Sequence, residues 1–318
     1  MALPKSVAEP APTLTFRLSI LIGFSRLHTV IATTVQVVCL YVMATALSGA
    51  PRSPIHLIAA WLACLATNLY VVGLNQLTDV TIDRLNKPRL PVAHGDLSPG
   101  EGRNIVLAAG AAALLLAVSQ GPTLTLTLAL IMLIGTAYSL PPLRLKARPV
   151  WAALSIALAR GVIATFGVYG HFAGGAALPM PPLIGLAALF FFGFGLVIAL
   201  FKDIPDREGD QRHGVGTLTV RWGPQRVYNL GWALLTTLFL LMAAALLAHR
   251  GPWTVALLSI HLALLLLFWL TGRRTDPARP PSMMRLSQRP GRRQNPAGPA
   301  DACRIRLRTE RCDDPQGQ

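Results

Sequence analysis

Long apolar segments constrain this chain more than any other feature of its sequence. They lie near residues 19–47, 56–78, 104–120, 122–140, 150–170, 182–201, 224–248 and 252–271. A helix of about 20 apolar residues crosses the hydrocarbon core of a bilayer, where every backbone polar group must be satisfied within the protein. The sequence therefore predicts an all-α, multi-pass transmembrane helical bundle with eight spans, and it excludes a soluble fold.

Basic residues alternate with these segments. The formal net charge is +15, from 29 Lys and Arg against 14 Asp and Glu. Within the predicted bundle they gather in the second, fourth and sixth loops, whereas the intervening loops hold only Arg52 and Arg250. By the positive-inside rule the basic loops face the cytoplasm, and with eight spans so do both termini. We interpret the charge as a topology signal of an integral protein of the bacterial inner membrane or an equivalent, not as a sign of nucleic-acid binding.

Acidic residues are confined to two of the same loops. From residue 17 to residue 271 the chain has eight, and every one lies in the second or the sixth loop. A charged group at the membrane edge of a helix is costly unless it is paired, hydrated or bound to a metal. We predict catalytic roles for Asp79, Asp83, Asp203 and Asp210. The other interpretation, polar residues that a loop needs for solvation, is preferred for Asp96, Glu101 and Glu208.

The acids of the second loop have helical spacing. Asn75, Asp79 and Asp83 are four residues apart, so they share one face of a continuous helix. An ion such as Mg2+ takes one or two carboxylates and completes its shell with water and substrate phosphate oxygens. This face is a predicted metal site that includes all three residues.

The acids of the sixth loop form a second cluster of Asp203, Asp206 and Asp210. Its geometry is less regular, because Pro205 disfavours helix at the preceding residue and Gly209 loosens the segment that follows. We expect a mild helix break here and assign the three carboxylates to a second metal site. Two such clusters predict a diphosphate held between two metal-binding faces.

At these clusters the sequence resembles the UbiA-type intramembrane aromatic prenyltransferases. Their patterns N-x-x-x-D-x-x-x-D and D-x-x-D-x-x-x-D are matched by the two clusters. Within that family, residues 24–29 (FSRLHT), 86–91 (NKPRLP), 138–146 (YSLPPLRLK) and 202–206 (KDIPD) look like homogentisate phytyltransferases. The resemblance runs from about residue 16 to residue 272. It implies nine membrane helices and a Mg2+-dependent transfer of a long isoprenoid, phytyl or similar, from its diphosphate to homogentisate, with decarboxylation, in tocopherol or plastoquinone biosynthesis.

Basic and polar residues near the clusters are candidate substrate ligands. Cationic side chains take up charge that develops on a diphosphate leaving group, and this favours Lys146, Arg144 and Lys202. A pure topology role is the alternative for these three. Arg26 and His28 are candidates for the carboxylate of an aromatic acceptor, or else interface anchors. Asn68 is predicted to line the pocket or to form an interhelical hydrogen bond. The aromatic residues 190–192 and 194 are candidates for lining the isoprenoid tail, or else ordinary packing or lipid-facing residues.

The expected partners are a prenyl diphosphate, an aromatic acceptor and the lipid bilayer, with no protein partner. Three other functions stay open: a related prenyltransferase with a different acceptor, such as a chlorophyll synthase or a quinone-pathway enzyme; a cation transporter; and an inactive truncated remnant. The remnant is considered because residues 275–318 carry nine Arg, no Lys and seven Pro, with no apolar run that spans a bilayer. We expect a disordered segment 1–16, a transmembrane prenyltransferase domain 17–272 and a disordered tail 273–318. Two origins of the tail stay open: an out-of-frame reading that replaces a ninth helix, or an authentic cytoplasmic tail.

Overall fold

The computed structural model describes residues 14–49, 53–174, 180–249 and 254–277, without the side chains of residues 14–16 and 249. Every regular element in these residues is a helix. The first seven are α1 (Leu14–Ser25), α2 (Leu27–Ser48), α3 (Pro54–Thr78), α4 (Val80–Asn86), α5 (Pro91–His94), α6 (Pro99–Gln120) and α7 (Pro122–Ser139). A 3-10 turn (Leu145–Ala147) is followed by α8 (Pro149–Ala157), a π-helical turn (Leu158–Ile163) and α9 (Ala164–Phe172). The last four are α10 (Pro182–Arg212), α11 (Leu218–Trp222), α12 (Pro224–His249) and α13 (Thr254–Arg273).

Eight of the described segments are long and apolar enough to cross a membrane: α2, α3, α6, α7, the run from α8 to α9, α10, α12 and α13. They correspond one to one with the predicted spans, so the all-α transmembrane bundle is confirmed. Many of their Leu and Ile side chains are exposed, which is expected where the surrounding solvent is lipid. The side of the membrane that each loop faces stays a prediction.

Proline sets the beginning of most of these helices. Its fixed φ suits the first turn, and the N–H that it lacks is one that an α-helix leaves unpaired there. Proline stands at the first or second position of α3, α5, α6, α7, α8 and α10. The start of α6 is also fixed by a capping box, in which the Ser98 hydroxyl accepts from the Glu101 N–H and the Glu101 carboxylate accepts from the Ser98 N–H.

The two ends of the bundle are packed differently. A core cluster that includes Leu40, Ala60, Cys64, Tyr169 and Ile184 joins α2, α3, α6, α7, α9 and α10. Because α3 runs from this cluster towards the acidic loop that follows it, the cluster closes the far end of the bundle. The end near the acidic loops is less densely filled, and it holds the cavity described below.

Two boundaries differ from the prediction. The first apolar segment is not one helix, because α1 and α2 are separated at Arg26, whose φ of 53° lies in the left-handed region. Helix α1 begins at Leu14, three residues before the predicted domain boundary. Residues 1–13 and 278–318 lie outside the described residues, so the disordered N-terminal segment, the missing ninth helix and the frameshifted tail stay predictions.

Close contact between α10 and the span formed by α8 and α9 depends on small residues. A Cβ added to Gly161 would collide with the backbone of Phe192, and one added to Gly195 would lie 3.1 Å from the Cα of Ala157. Membrane helices pack closely where such residues let backbones approach. These contacts hold the π-helical turn firmly against α10.

We predict that Gly161→Ala lowers the stability of the folded protein by about 1–3 kcal/mol, since the new methyl group meets backbone that cannot move aside. Gly185→Ala in α10 is the matched control, because a Cβ there meets nothing within 4 Å. Thermal unfolding of both purified variants in the same detergent is the measurement. Equal melting temperatures for the two variants would contradict the tight contact.

Candidate active site

One large cavity opens between the spans at the end of the bundle that carries the acidic loops. Its volume is about 1350 Å³, and it is lined by residues from α2, α3, α4, α7, the α8–α9 span and α10. Every residue predicted from the sequence as a metal or substrate ligand lines it: Arg26, His28, Asn68, Asn75, Asp79, Asp83, Arg144, Lys146, Lys202, Asp203, Asp206 and Asp210. The structure therefore brings the two acidic clusters and the predicted cations together.

The acids that were interpreted as ordinary loop residues lie elsewhere. Glu101 caps α6, the carboxylate of Asp96 lies 2.9 Å from Nδ1 of His94, and the exposed Glu208 pairs with Arg212 one turn away. None of the three lines the cavity. The buried acids Asp83 and Asp210, only 5% and 7% exposed, do line it.

The first cluster does not sit on one continuous helix, contrary to the expectation from its spacing. Helix α3 ends at Thr78, and Asp79, with φ −116° and ψ 14°, joins it to the short α4. Asn75 still contacts Asp79, since its Nδ2 donates to Oδ2 at 3.1 Å. All three polar residues line the cavity, although Asn75 lies on α3 and Asp83 on α4.

The second cluster shows the opposite departure. Helix α10 continues through Pro205 and Gly209 as far as Arg212, so the expected break is absent. Proline leaves a backbone carbonyl without its usual partner, and buried surroundings can tolerate this within a membrane helix. Here the side chain of Asn86, at the end of α4, forms hydrogen bonds to the backbone of α10 just after the proline.

Asn86 forms two hydrogen bonds to the α10 backbone. Its Nδ2 donates to the Asp206 carbonyl at 3.1 Å, and its Oδ1 accepts from the Gly209 N–H at 3.1 Å. A side chain at Gly209 would collide with this amide. The amide thus fixes the helix that carries the first cluster against the helix that carries the second.

Lys87 adds ionic contacts between α4 and α10. Its ammonium pairs with Oδ2 of Asp206 and lies 4.0 Å from Oδ1 of Asp83. Sequence reasoning treated Lys87 only as a basic loop residue. Its position four residues after Asp83 was the signal for the contact within α4, but the contact with Asp206 depends on the tertiary fold.

The predicted phosphate-binding cations are paired with cavity acids. Nζ of Lys146 lies 2.7 Å from Oδ1 of Asp79 and donates to the Thr78 hydroxyl at 2.6 Å. Arg144 approaches the same carboxylate at 4.0 Å. Nζ of Lys202 donates to the Tyr138 hydroxyl at 2.9 Å and lies 3.5 Å from Oδ1 of Asp203.

Burial shifts the protonation of two groups outside the spans. It raises the pKa of Asp83 to about 6, although Lys87 and Arg26 act in the opposite direction. Burial also lowers the pKa of Lys146, and the Asp79 carboxylate opposes this change. Both shifts follow from the removal of charged groups from water, and a cation beside Asp83 favours its ionised form.

The donor set fits a hard divalent cation. Oδ2 of Asp83 is buried and accepts no hydrogen bond from the described residues, and carboxylate and amide oxygens are the ligands that Mg2+ prefers. Among the described residues no three acidic, His or Cys side chains converge on one point. A bound Mg2+ therefore requires oxygens from water or substrate, as this ion usually does.

The remaining candidates, Asn68 and Arg26, also line the cavity. Nδ2 of Asn68 donates to the Thr29 hydroxyl at 3.0 Å, so this residue both lines the cavity and links two helices. Arg26 occupies the left-handed junction before α2, a strained conformation of the kind that clusters at functional sites.

The aromatic candidates at residues 190–192 and 194 are placed differently. None of the four lines the cavity, and Phe190 and Phe194 pack against α12, which agrees with the packing alternative.

Sequence reasoning missed several cavity residues. Tyr138 was noted only as part of a motif, whereas Gln36 and Arg160 were not singled out at all. Both lie inside apolar spans. A polar residue within a membrane span is a functional candidate by default, and this rule alone would have identified Arg160.

Comparison with known proteins adds an independent finding. The profile of the UbiA prenyltransferase family matches residues 35–288. The homogentisate phytyltransferase of Synechocystis sp. is 44% identical over 258 residues, which cover 79% of this chain and 83% of that one. A probable homogentisate phytyltransferase 2 of Oryza sativa is 36% identical, over 76% of this chain and 65% of the rice protein. Among solved structures, a UbiA homolog from Archaeoglobus fulgidus bound to GPP and Mg2+ superposes with a TM-score of 0.62 at 22% identity, over 83% of this chain and 92% of that one.

We predict that Asn86→Ala lowers stability by about 1–3 kcal/mol, because it removes two hydrogen bonds between α4 and the backbone of α10. Asn229→Ala is the control, since Asn229 is exposed and accepts a hydrogen bond from Gln225 on its own helix. Thermal unfolding in detergent gives the comparison. If Asn86→Ala is as stable as the control, the amide does not hold the two clusters together.

Proposed function

Because the chain belongs to the UbiA prenyltransferase family, we propose that it transfers a long isoprenoid, phytyl or similar, from its diphosphate to homogentisate in a Mg2+-dependent reaction. The observation that carries the proposal is the single cavity lined by both acidic clusters and by cations from separate spans. The acceptor is proposed from the similarity to the Synechocystis enzyme. The pathway is then tocopherol or plastoquinone biosynthesis. The acetate carboxyl leaves as CO2, and the methylene carbon takes up a proton to become a methyl group.

The acids would hold the metal ions that accompany the diphosphate. Asp79 and Asp83, with Asn75, lie on one side of the cavity, and Asp203, Asp206 and Asp210 lie on α10. Bound Mg2+ supplies positive charge that stabilises the diphosphate as a leaving group. The seven oxygens of a diphosphate would complete the coordination that the protein leaves open.

The cations would contact the same leaving group directly. Lys146, Lys202 and Arg144 already lie within 4.0 Å of cavity carboxylates, so a diphosphate bound between the acids lies within their reach. Their donors stabilise negative charge as the allylic C–O bond breaks. The apolar spans exclude water, so the electron-rich ring carbon of the acceptor, not water, forms the new C–C bond and then loses its proton.

The proposed orientation follows from the loop charges. The loops that carry the acids also carry Arg84, Lys87, Arg89, Arg103, Arg207 and Arg212, and the positive-inside rule assigns them to the cytoplasmic side. The site would then open to the cytoplasm, where soluble homogentisate enters. The isoprenoid tail would extend from the acids into the apolar part of the cavity.

The direct test is incubation of membranes that contain the protein with Mg2+, radiolabelled homogentisate and a panel of prenyl diphosphates. We expect a prenylated, decarboxylated product that disappears when EDTA is added. Parallel reactions contain other aromatic acceptors and a chlorophyll precursor. A product with one of those acceptors and none with homogentisate would overturn the acceptor assignment. No product with any acceptor would overturn the proposed activity.

We predict that Asp79→Asn and Asp203→Asn each abolish transfer and leave the melting temperature within a few degrees of wild type. The amide has the same shape as the carboxylate, but it lacks the charge that binds Mg2+. Asp96→Asn is the matched control, because Asp96 is an exposed loop acid outside the cavity. Near-normal turnover of either cavity variant would remove that residue from the metal site.

We predict that Lys146→Gln raises the KM for prenyl diphosphate or lowers kcat about 10-fold or more, with a smaller effect on the KM for the acceptor. The reason is the loss of one charge-assisted contact to phosphate, which is worth about 1.5–3 kcal/mol. Arg148→Gln is the control, since Arg148 is an exposed cation of the same loop and does not line the cavity. Steady-state kinetics with each substrate varied in turn separate the two effects. If Lys146→Gln has the KM and kcat values of wild type, Lys146 serves as a topology signal and does not bind the diphosphate.

A further inference from the structure

Arg160 is a cationic residue inside a membrane span. It lies within the span Pro149–Phe172 and lines the cavity. In the part of the chain that the structure describes, its guanidinium forms no ion pair and donates no hydrogen bond, and no carboxylate acts on it electrostatically. An unpaired charge at this depth is costly, and such residues mark substrate or ion pathways.

The backbone holds Arg160 in a defined position. It belongs to the π-helical turn Leu158–Ile163, and turns of this kind are frequent at functional sites. Its carbonyl accepts a hydrogen bond of 2.8 Å from Nε2 of Gln36, a second residue of the cavity lining. The next residue, Gly161, packs directly on the backbone of Phe192. The turn is therefore fixed on two sides, by α2 and by α10.

Arg160 lies deeper in the bundle than the acidic clusters. It follows Pro149, the start of its span, by eleven residues, which corresponds to about 16 Å along a helix. Lys146 and Asp79, by contrast, lie at the ends of their spans and pair with each other there. A diphosphate between the acids would thus lie near the membrane edge, about half a bilayer core away from the Cα of Arg160.

The surroundings of Arg160 favour an anion of a different kind. Arg26 and Arg160 both act electrostatically on His28, and all three residues line the cavity. An isoprenoid tail carries no charge and gives a guanidinium nothing to bind. A carboxylate, however, matches the planar donors of Arg with two parallel hydrogen bonds.

We propose that Arg160 binds the carboxylate of the aromatic acceptor and so determines that the enzyme accepts a ring bearing an acidic side chain. This inference rests on the proposed function, because it names the residue that would anchor the acceptor in the same cavity. Arg160 would hold the carboxylate on the side away from the acids. The ring would then face the allylic carbon of the prenyl diphosphate.

The test compares wild-type protein with Arg160→Gln and Arg160→Lys in detergent, with homogentisate and with methylhydroquinone, which has the same ring without the carboxyl group. We expect Arg160→Gln to raise the KM for homogentisate about 10- to 100-fold and to leave the KM for prenyl diphosphate within about twofold. The KM for methylhydroquinone should be unchanged by the substitution. Arg160→Lys keeps the charge and should recover part of the affinity for homogentisate.

Thermal protection supplies a readout that does not depend on turnover. Homogentisate should raise the melting temperature of wild type but not of Arg160→Gln, whereas prenyl diphosphate with Mg2+ should protect both. Arg148→Gln, at an exposed cation outside the cavity, should behave as wild type. Equal protection of wild type and Arg160→Gln by homogentisate, or equal losses for both substrates, would overturn the assignment of Arg160. A wild-type protein that homogentisate neither protects nor reacts with would overturn the proposed acceptor itself.

Discussion

The cost of charge at the edge of a bilayer governs this structure. Five aspartates line one cavity at the ends of the spans, and a group of this kind is stable there only when it is paired, hydrated or metal-bound. The fold meets this requirement by bringing cations from other elements to the acids: Lys146 to Asp79, and Lys87 to both acidic clusters. The same cations are available to a phosphate group, so the pairs that stabilise the free protein also prepare the site for an anionic substrate. The same cations would therefore pair with the acids in the free protein and bind the substrate when it enters.

The sequence predicted the spans and the cavity lining well because both depend on composition along the chain. An apolar segment of membrane length has few alternatives to a spanning helix, and acids confined to two loops must face one another once the spans assemble. The helix breaks were predicted wrongly, and in opposite senses. The chain breaks at Asp79, where local residues permit a helix, and continues through Pro205, where they disfavour one. Tertiary contact decides both cases, since Asn86 on α4 binds the α10 backbone at Asp206 and Gly209.

Residues whose partners lie far away along the chain were harder to identify from the sequence. Asn86 and Lys87 belong to a motif that was noticed, yet their partners lie about 120 positions away along the chain. Gln36 and Arg160 sit in segments that read as purely apolar, and only their isolation within a span distinguishes them. A motif reports residues that act together within one stretch. A single polar residue in a membrane span has to be identified in another way, from the free-energy cost of placing it there, since a residue with this cost is usually functional.

The distribution of charge along the cavity also determines where each of the two proposed substrates would bind. The five aspartates outnumber the four cations paired with them, Lys87, Arg144, Lys146 and Lys202, so a diphosphate bound among them would gain the positive charge that it needs from Mg2+. A carboxylate brings no such ions, and the acids exclude it from their end. The group that attracts it is Arg160, which lies deeper in its span than the acids. An acceptor with one carboxylate is therefore oriented by repulsion at one end and by attraction at the other, with its ring between the two. In the proposed reaction this places the ring next to the allylic carbon before any bond is broken, which is the positioning that alkylation in a water-free site requires.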